Sequence, residues 1–276
     1  MNIIELSSIS CPEAAPFTSL TEAQLRLAGE GNGLFIAESI KVIISALEAG
    51  YRPHSLLTDR KHLRDLELQA GFLLDETPIY TAPSDMLESI TGFSLSRGVL
   101  CAMERITLPP VESVLSNARR VAVLEGIGDP TNTGAIFRSA AALGMDAVLV
   151  SSSCCDPLHR RSARVSMGTV FKIPWTVIPC RADNRKSVDI ATLKQAGFTI
   201  AATALTEDSV SICDSRLQME ERLAVLMGSE GNGLEPQTVY ESDYTVKIPM
   251  SHGVDSLNVA AASALFFWEL SKKPSK

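Results

Sequence analysis

Six short apolar runs, VAVLEG, DAVLVS, PWTVIP, FTIAAT, LAVLMG and YTVKIP, recur between residues 121 and 249, and they limit the possible folds more than any other feature. Runs this short and apolar on both faces read as strands covered on two sides. Helical stretches such as GAIFRSAAALG, residues 134–144, lie between several of them, the pattern of parallel strands joined by crossover helices. Residues 120–276 are therefore expected to form an α/β domain around a parallel sheet.

The 276 residues suggest about two domains. Residues 1–18 are polar and Pro-containing and read as an N-terminal arm. Residues 19–107 read as a small α/β domain: LTEAQLRLAGE and AESIKVIISALEAG have helical periodicity, and SLLT, PIYT and GVLCAME read as strands, with helical KHLRDLELQAG between the first two. The Pro-Pro pair in residues 108–119 marks a linker or linker helix.

Charge sharpens this division. The chain carries 25 Lys and Arg against 32 Asp and Glu, a net −7, which argues against a nucleic-acid binder held by bulk positive charge. Residues 1–107 account for −6 of it, so any phosphate recognition needs a local basic patch. HRRSARVSMG, residues 159–168, supplies one, with Arg160, Arg161 and Arg164 in five positions. It reads either as an RNA phosphate track or as a solvated helix face. Aromatic residues make up 5% and form no row for base stacking. The six cysteines have no CxxC spacing, so they read as reduced structural thiols of a cytoplasmic protein, with no metal site. No apolar run approaches a membrane span, and no basic leader is present.

Ligands of open α/β sheets bind where loops leave the carboxyl ends of strands. Three such loops stand out. EGIGDPTNTGAIFRSAAALG, residues 125–144, lacks the third glycine of a dinucleotide fingerprint. It offers Asn132, an N-cap or a site group, and Arg138 in an otherwise apolar helix. LMGSEGNGLE, residues 226–235, surrounds Glu230 with glycines that let backbone approach a ligand. IPMSHGVDSLNVAAASALFFWEL, residues 248–270, runs from a strand end into a last helix. Asp255 or Ser256 is the expected cap, leaving Ser256 and Asn258 at the helix N-terminus.

Together, NTGAIFR, GSEGNGL and IPMSHGVDSLNVAAA resemble the three motifs of the SpoU (TrmH-like) RNA 2′-O-ribose methyltransferases of the SPOUT superfamily. Order, spacing and residue type agree across residues 120–270. GLFIAESIKVIISALEAGY is similar to the start of the ribosomal-protein-like substrate-binding domain that precedes the catalytic domain in many members. There the family often has Glu-Gly where this chain has Glu38-Ser39. The resemblance implies a C-terminal trefoil knot, a homodimer with loops of both subunits at its site, S-adenosylmethionine as methyl donor, and ribosomal or transfer RNA as substrate. By motif position, Leu205, Gly228, Ile248, Met250 and Leu257 meet the cofactor. Asn132, Arg138, Glu230, Ser256 and Asn258 fall on the polar active-site positions, and the chemistry requires no metal. Two other readings compete: an inactive RNA-binding relative of the same fold, and a Rossmann-type nucleotide-binding enzyme using EGIGD.

Overall fold

The computed structural model describes residues 2–6, 8, 11–29, 31–71, 76–83, 86–87, 98–184 and 186–271. The chain divides into two compact units, Met1–Thr107 with Leu158–Lys172, and Leu108–Pro157 with Ile173–Lys276.

The first unit is built on strands β1 (Asn2–Glu5), β2 (Leu34–Glu38), β3 (Pro53–Thr58), β4 (Pro78–Thr81) and β5 (Val99–Glu104). Their order is β1-β4-β3-β5-β2, with β5 antiparallel to β2 and β3 and the other pairs parallel. Three expectations need correction here. The arm supplies β1 at the sheet edge and buries Leu6, Ala14 and Phe17 in the core. Ala37 and Glu38, expected to open the helix AESIKVIISALEAG, instead end the fully buried strand LFIAE; a short apolar run has no period that separates a covered strand from a helix. LTEAQLRLAGE yields one helical turn, Glu22–Leu25, closed by a Thr21–Gln24 capping box.

Helix Ile40–Glu48 follows β2 through Ser39, whose φ of 88° and ψ of 147° lie in a region that glycine occupies readily and side chains avoid. Serine in that conformation stores strain.

The segment Leu158–Lys172 belongs to the first unit although it lies between two strands of the second. Its helix Arg160–Val165 packs on β2, and Phe171 joins Phe35 and Tyr51 in a ring cluster with centroids 5.2–5.8 Å apart.

The second unit carries β6 (Arg120–Leu124), β7 (Ala147–Ser151), β8 (Trp175–Ile178), β9 (Thr199–Thr203), β10 (Val210–Ser211), β11 (Leu223–Met227) and β12 (Tyr244–Lys247). Every neighbouring pair is parallel, in the order β10-β12-β9-β11-β6-β7-β8. The six apolar runs are strands of this sheet; β7, β11 and residues 121–124 of β6 are buried, whereas Val177 of β8 is 43% exposed and β12 is mostly half-buried. Of the two readings of residues 108–119 the structure has the helix, Val111–Leu115, and Val111, Leu115 and Ala118 sit in this unit's core beside Val121, Leu149 and Leu226. All seven strands point the same way, so the loops after β6, β9, β11 and β12 emerge at one edge. Helices Pro130–Ala142 and Val259–Leu270 pack against each other.

Candidate active site

The loops after β9, β11 and β12 enclose a cavity of about 400 Å³. Leu205, Gly228, Ile248, Met250 and Leu257 all line it, as do Glu230 and Ser256. Leu205 and Leu257 are 60% and 40% exposed, so the apolar wall is open to a ligand. The 228–234 loop folds back on itself: Ser229 and Gly233 exchange backbone hydrogen bonds of 3.0 Å. A Cβ on Gly228 would lie 2.2 Å from the carbonyl carbon of Gly233, so only glycine permits that approach.

Three polar candidates meet beside the cavity. The N-cap of helix Val259–Leu270 is Asn258, not Asp255 or Ser256: its Oδ1 accepts from the N–H groups of Ala260 and Ala261 at 3.0 and 3.3 Å. That bond turns the amide nitrogen outward, where it donates to Asn132 Oδ1 at 3.1 Å and to Glu230 Oε1. Asn258 thereby uses both amide protons and both oxygen lone pairs, and ties together the loops after β6, β11 and β12. Asn132 is free for this because Asp129 caps its helix, accepting from Asn132 N–H at 2.8 Å. Among the described residues, the amide nitrogen of Asn132 and the second carboxylate oxygen of Glu230 take no hydrogen-bond partner.

Arg138 is exposed and makes no hydrogen bond or ion pair among the described residues. Six residues beyond Asn132 on the same helix, it lies about 9 Å along the axis and about 240° around it. One chain therefore does not bring Arg138 into the Asn132–Asn258–Glu230 cluster. Ser256 sits in the exposed stretch before the cap.

The basic patch is placed differently from either sequence reading. Arg160 Nε lies 3.0 Å from Glu38 Oε2, and Arg164 Nη1 lies 3.3 Å from Glu38 Oε1, with Glu38 only 3% exposed. These two guanidinium groups neutralise a buried carboxylate inside the first unit, leaving Arg161 as the exposed member. Charge pairing across 122 residues leaves no trace in local spacing.

Sequence reasoning also passed over the residues that brace the loop after β6. Gly126 N–H donates to Ser151 Oγ at 3.1 Å, Ile127 N–H to Cys154 Sγ at 3.3 Å, and Cys155 N–H to Ile127 O at 2.7 Å. Burial pushes the Cys154 thiol up, with hydrogen bonds from Ser151 and Ile127 opposing it, so this cysteine braces the loop as a neutral thiol. Glu125, ending an apolar run, was the one available signal: an acidic residue continuing a buried strand needs internal partners. Among the described residues, no group of three or more His, Cys, Asp or Glu is placed to hold a metal ion, and no helix is long and apolar enough to cross a membrane.

The model of the SpoU rRNA Methylase family matches residues 119–268, more than half of the chain. A Mycobacterium tuberculosis protein named an uncharacterized tRNA/rRNA methyltransferase is 41% identical over 87% of this chain and 81% of its own length. The 23S rRNA (guanosine(2553)-2'-O)-methyltransferase RlmP of Bacillus subtilis is 27% identical over 79% of this chain and 89% of its own. Among solved structures, an AdoMet-bound rRNA methyltransferase from Sinorhizobium meliloti covers 97% of both chains with a TM-score of 0.80 at 23% identity, which shows a shared fold. The loops that converge on the cavity all lie within the matched segment, and the chain belongs to the SpoU rRNA methylase family.

Proposed function

We propose that this chain transfers a methyl group from S-adenosylmethionine to a ribose 2′-hydroxyl of ribosomal or transfer RNA. The observation that carries the reading is the Asn132–Asn258–Glu230 junction beside a glycine-looped, partly apolar cavity. The cavity fits the cofactor: its volume suits a small-molecule site, Leu205, Met250 and Leu257 offer apolar surface, and the loop at Gly228 presents backbone groups at close range. When bound there, the cofactor supplies a methyl on a sulfonium centre for a hydroxyl to attack.

The chain's own residues then orient and stabilise. Asn132 and Glu230 hold the ribose through the amide nitrogen and carboxylate oxygen left open by Asn258, fixing the oxygen in line for attack. Arg138 grips the substrate phosphate and stabilises charge on the attacking oxygen. A guanidinium keeps its proton in proteins, so the hydroxyl proton passes to that phosphate or to water. Ser256 holds the loop above the ribose.

The reading includes a homodimer in which Arg138 serves the site of a second copy. Its support is the position of Arg138 away from its own cluster, together with Leu265 and Trp268, 44% and 58% exposed on one face of the last helix. It also includes a knotted chain, supported by the late insertion of β11 between β9 and β6 and of β12 between β10 and β9. The first unit is the substrate-binding domain, and Arg161 contributes a phosphate contact.

The deciding experiment incubates RNA from a strain lacking the protein with the purified protein and labelled S-adenosylmethionine and maps the 2′-O-methyl position. No incorporation into any RNA overturns the assignment. Arg138→Lys is expected to lower kcat at least tenfold, because a point charge does not reproduce a bidentate fork; near-full kcat removes the phosphate-gripping role.

A further inference from the structure

We infer that Glu125 is a positioning residue for the cofactor cavity: it clamps both ends of the 228–234 loop. The inference rests on the methyltransferase reading of that cavity. Glu125 directly follows β6 and is 2% exposed. Its backbone N–H donates to Met227 O at 2.9 Å, where the chain enters the loop. Its Oε1 accepts from Glu235 N–H at 2.8 Å, where the chain leaves it. Its Oε2 accepts from Thr238 Oγ1 at 2.7 Å, one turn into helix Pro236–Glu241, and from Val188 N–H at 2.8 Å.

The chemistry of this cluster is directional. An ionised carboxylate only accepts, and all three side-chain contacts are donors, so every one is satisfied. With its proton committed to Glu125, Thr238 accepts from Ser187 Oγ, 2.7 Å away. Among the described residues no cation pairs with Glu125, so neutral dipoles alone hold the charge. The clamped loop has no slack, because Ser229 pairs with Gly233 inside it and Gly228 touches the returning backbone. The spacing between Met227 and Glu235 therefore sets the shape of the wall presented to the cofactor, and Glu125 sets that spacing.

Glu125→Gln keeps the volume and removes half of the acceptor capacity. With its oxygen toward Glu235 N–H, the new NH₂ faces Val188 N–H, donor against donor, while Thr238 can reverse to accept. Flipped, the amide strands Glu235 N–H at the loop exit. Titration calorimetry is expected to show S-adenosylmethionine bound about tenfold more weakly, with kcat at saturating cofactor changed much less than KM. In the ligand-free protein, amide hydrogen exchange across residues 228–235 should accelerate, with β9 unchanged. A lower melting temperature with unaltered exchange in the loop and unaltered affinity makes Glu125 a stability residue only and overturns the inference. Should Glu125→Gln fail to fold, Thr238→Val removes one donor at constant shape and Thr238→Ser restores it. About threefold weaker binding for valine alone is expected, and equal affinities overturn the role. The exchange measurement needs no ligand: failure of the unmodified protein to bind S-adenosylmethionine sinks the proposed function, while the exchange pattern still decides the part played by Glu125.

Discussion

Glu38 and Glu125 each sit at the carboxyl end of a strand, one in each unit, and are 3% and 2% exposed. Their partners differ in kind. Glu38 is neutralised by two guanidinium groups of the segment Leu158–Lys172, whereas Glu125 is held by two backbone N–H groups and a hydroxyl. Charged partners tolerate imperfect geometry, since the attraction falls off slowly with distance; neutral donors demand close alignment. The first arrangement suits fastening a distant segment to a sheet. The second suits holding a loop in one shape. The comparison teaches that a buried acid is read by its donors, and that the first unit spends its buried charge on cohesion while the second spends it on geometry.

Mutations can break this division or sharpen it. The largest expected effect is on catalysis: Asn258→Ala removes the junction of three loops and should lower kcat/KM about a hundredfold, with only about 1 kcal/mol lost from the helix cap. Steady-state kinetics beside urea unfolding would separate the two, and a loss confined to stability would leave the junction merely structural. Next comes Glu38→Gln, which leaves two guanidinium groups without their carboxylate. It should cost about 2–3 kcal/mol in denaturant unfolding while activity per folded molecule stays near normal; a kcat that falls with it would end the separation of roles. Ser39→Gly is a smaller change of opposite sign. It relieves the positive φ and removes a buried hydroxyl that has no partner among the described residues, so stability should rise by about 1 kcal/mol. A lower melting temperature would mean that the serine contributes something beyond strain. The smallest effect belongs to Arg161→Ala, which should reduce the magnitude of the logarithmic salt slope of RNA binding by about 0.7–0.9 and leave stability alone. Arg160→Ala should instead lower stability, because its guanidinium serves Glu38.

Much of the second unit was legible because its signals are local. Each apolar run is recognised from its own few residues, and the glycine spacing around Glu230 reflects a turn made within a few residues. Where two local patterns meet, legibility failed: Ala37 and Glu38 fit the helical period of AESIKVIISALEAG but end strand β2, and the strained Ser39 backbone separates the two. In residues 108–119 the prolines mark a linker or linker helix, and the helix is there, but the burial of its Val111 and Leu115 in the core is not legible from them. Proline breaks regular hydrogen bonding without saying which side of the chain is buried. The sequence places Asn258 at the helix N-terminus, but its role as cap depends on where the helix begins, a boundary set by which side chain reaches the first free N–H groups.

By itself, the sequence determined a parallel sheet in the C-terminal half, the three loops at its carboxyl edge and the family those loops belong to. Only tertiary structure decided which arginines neutralise a buried carboxylate, which asparagine caps the last helix and which acid holds the ends of the 228–234 loop. The physical reason is range. Hydrophobic period and turn chemistry act over a few residues, whereas Glu38 meets Arg160 across 122 positions, Asn258 meets Asn132 across 126, and Glu125 meets Thr238 across 113. A buried polar group must find a partner, and the identity of that partner is fixed only when the chain has folded.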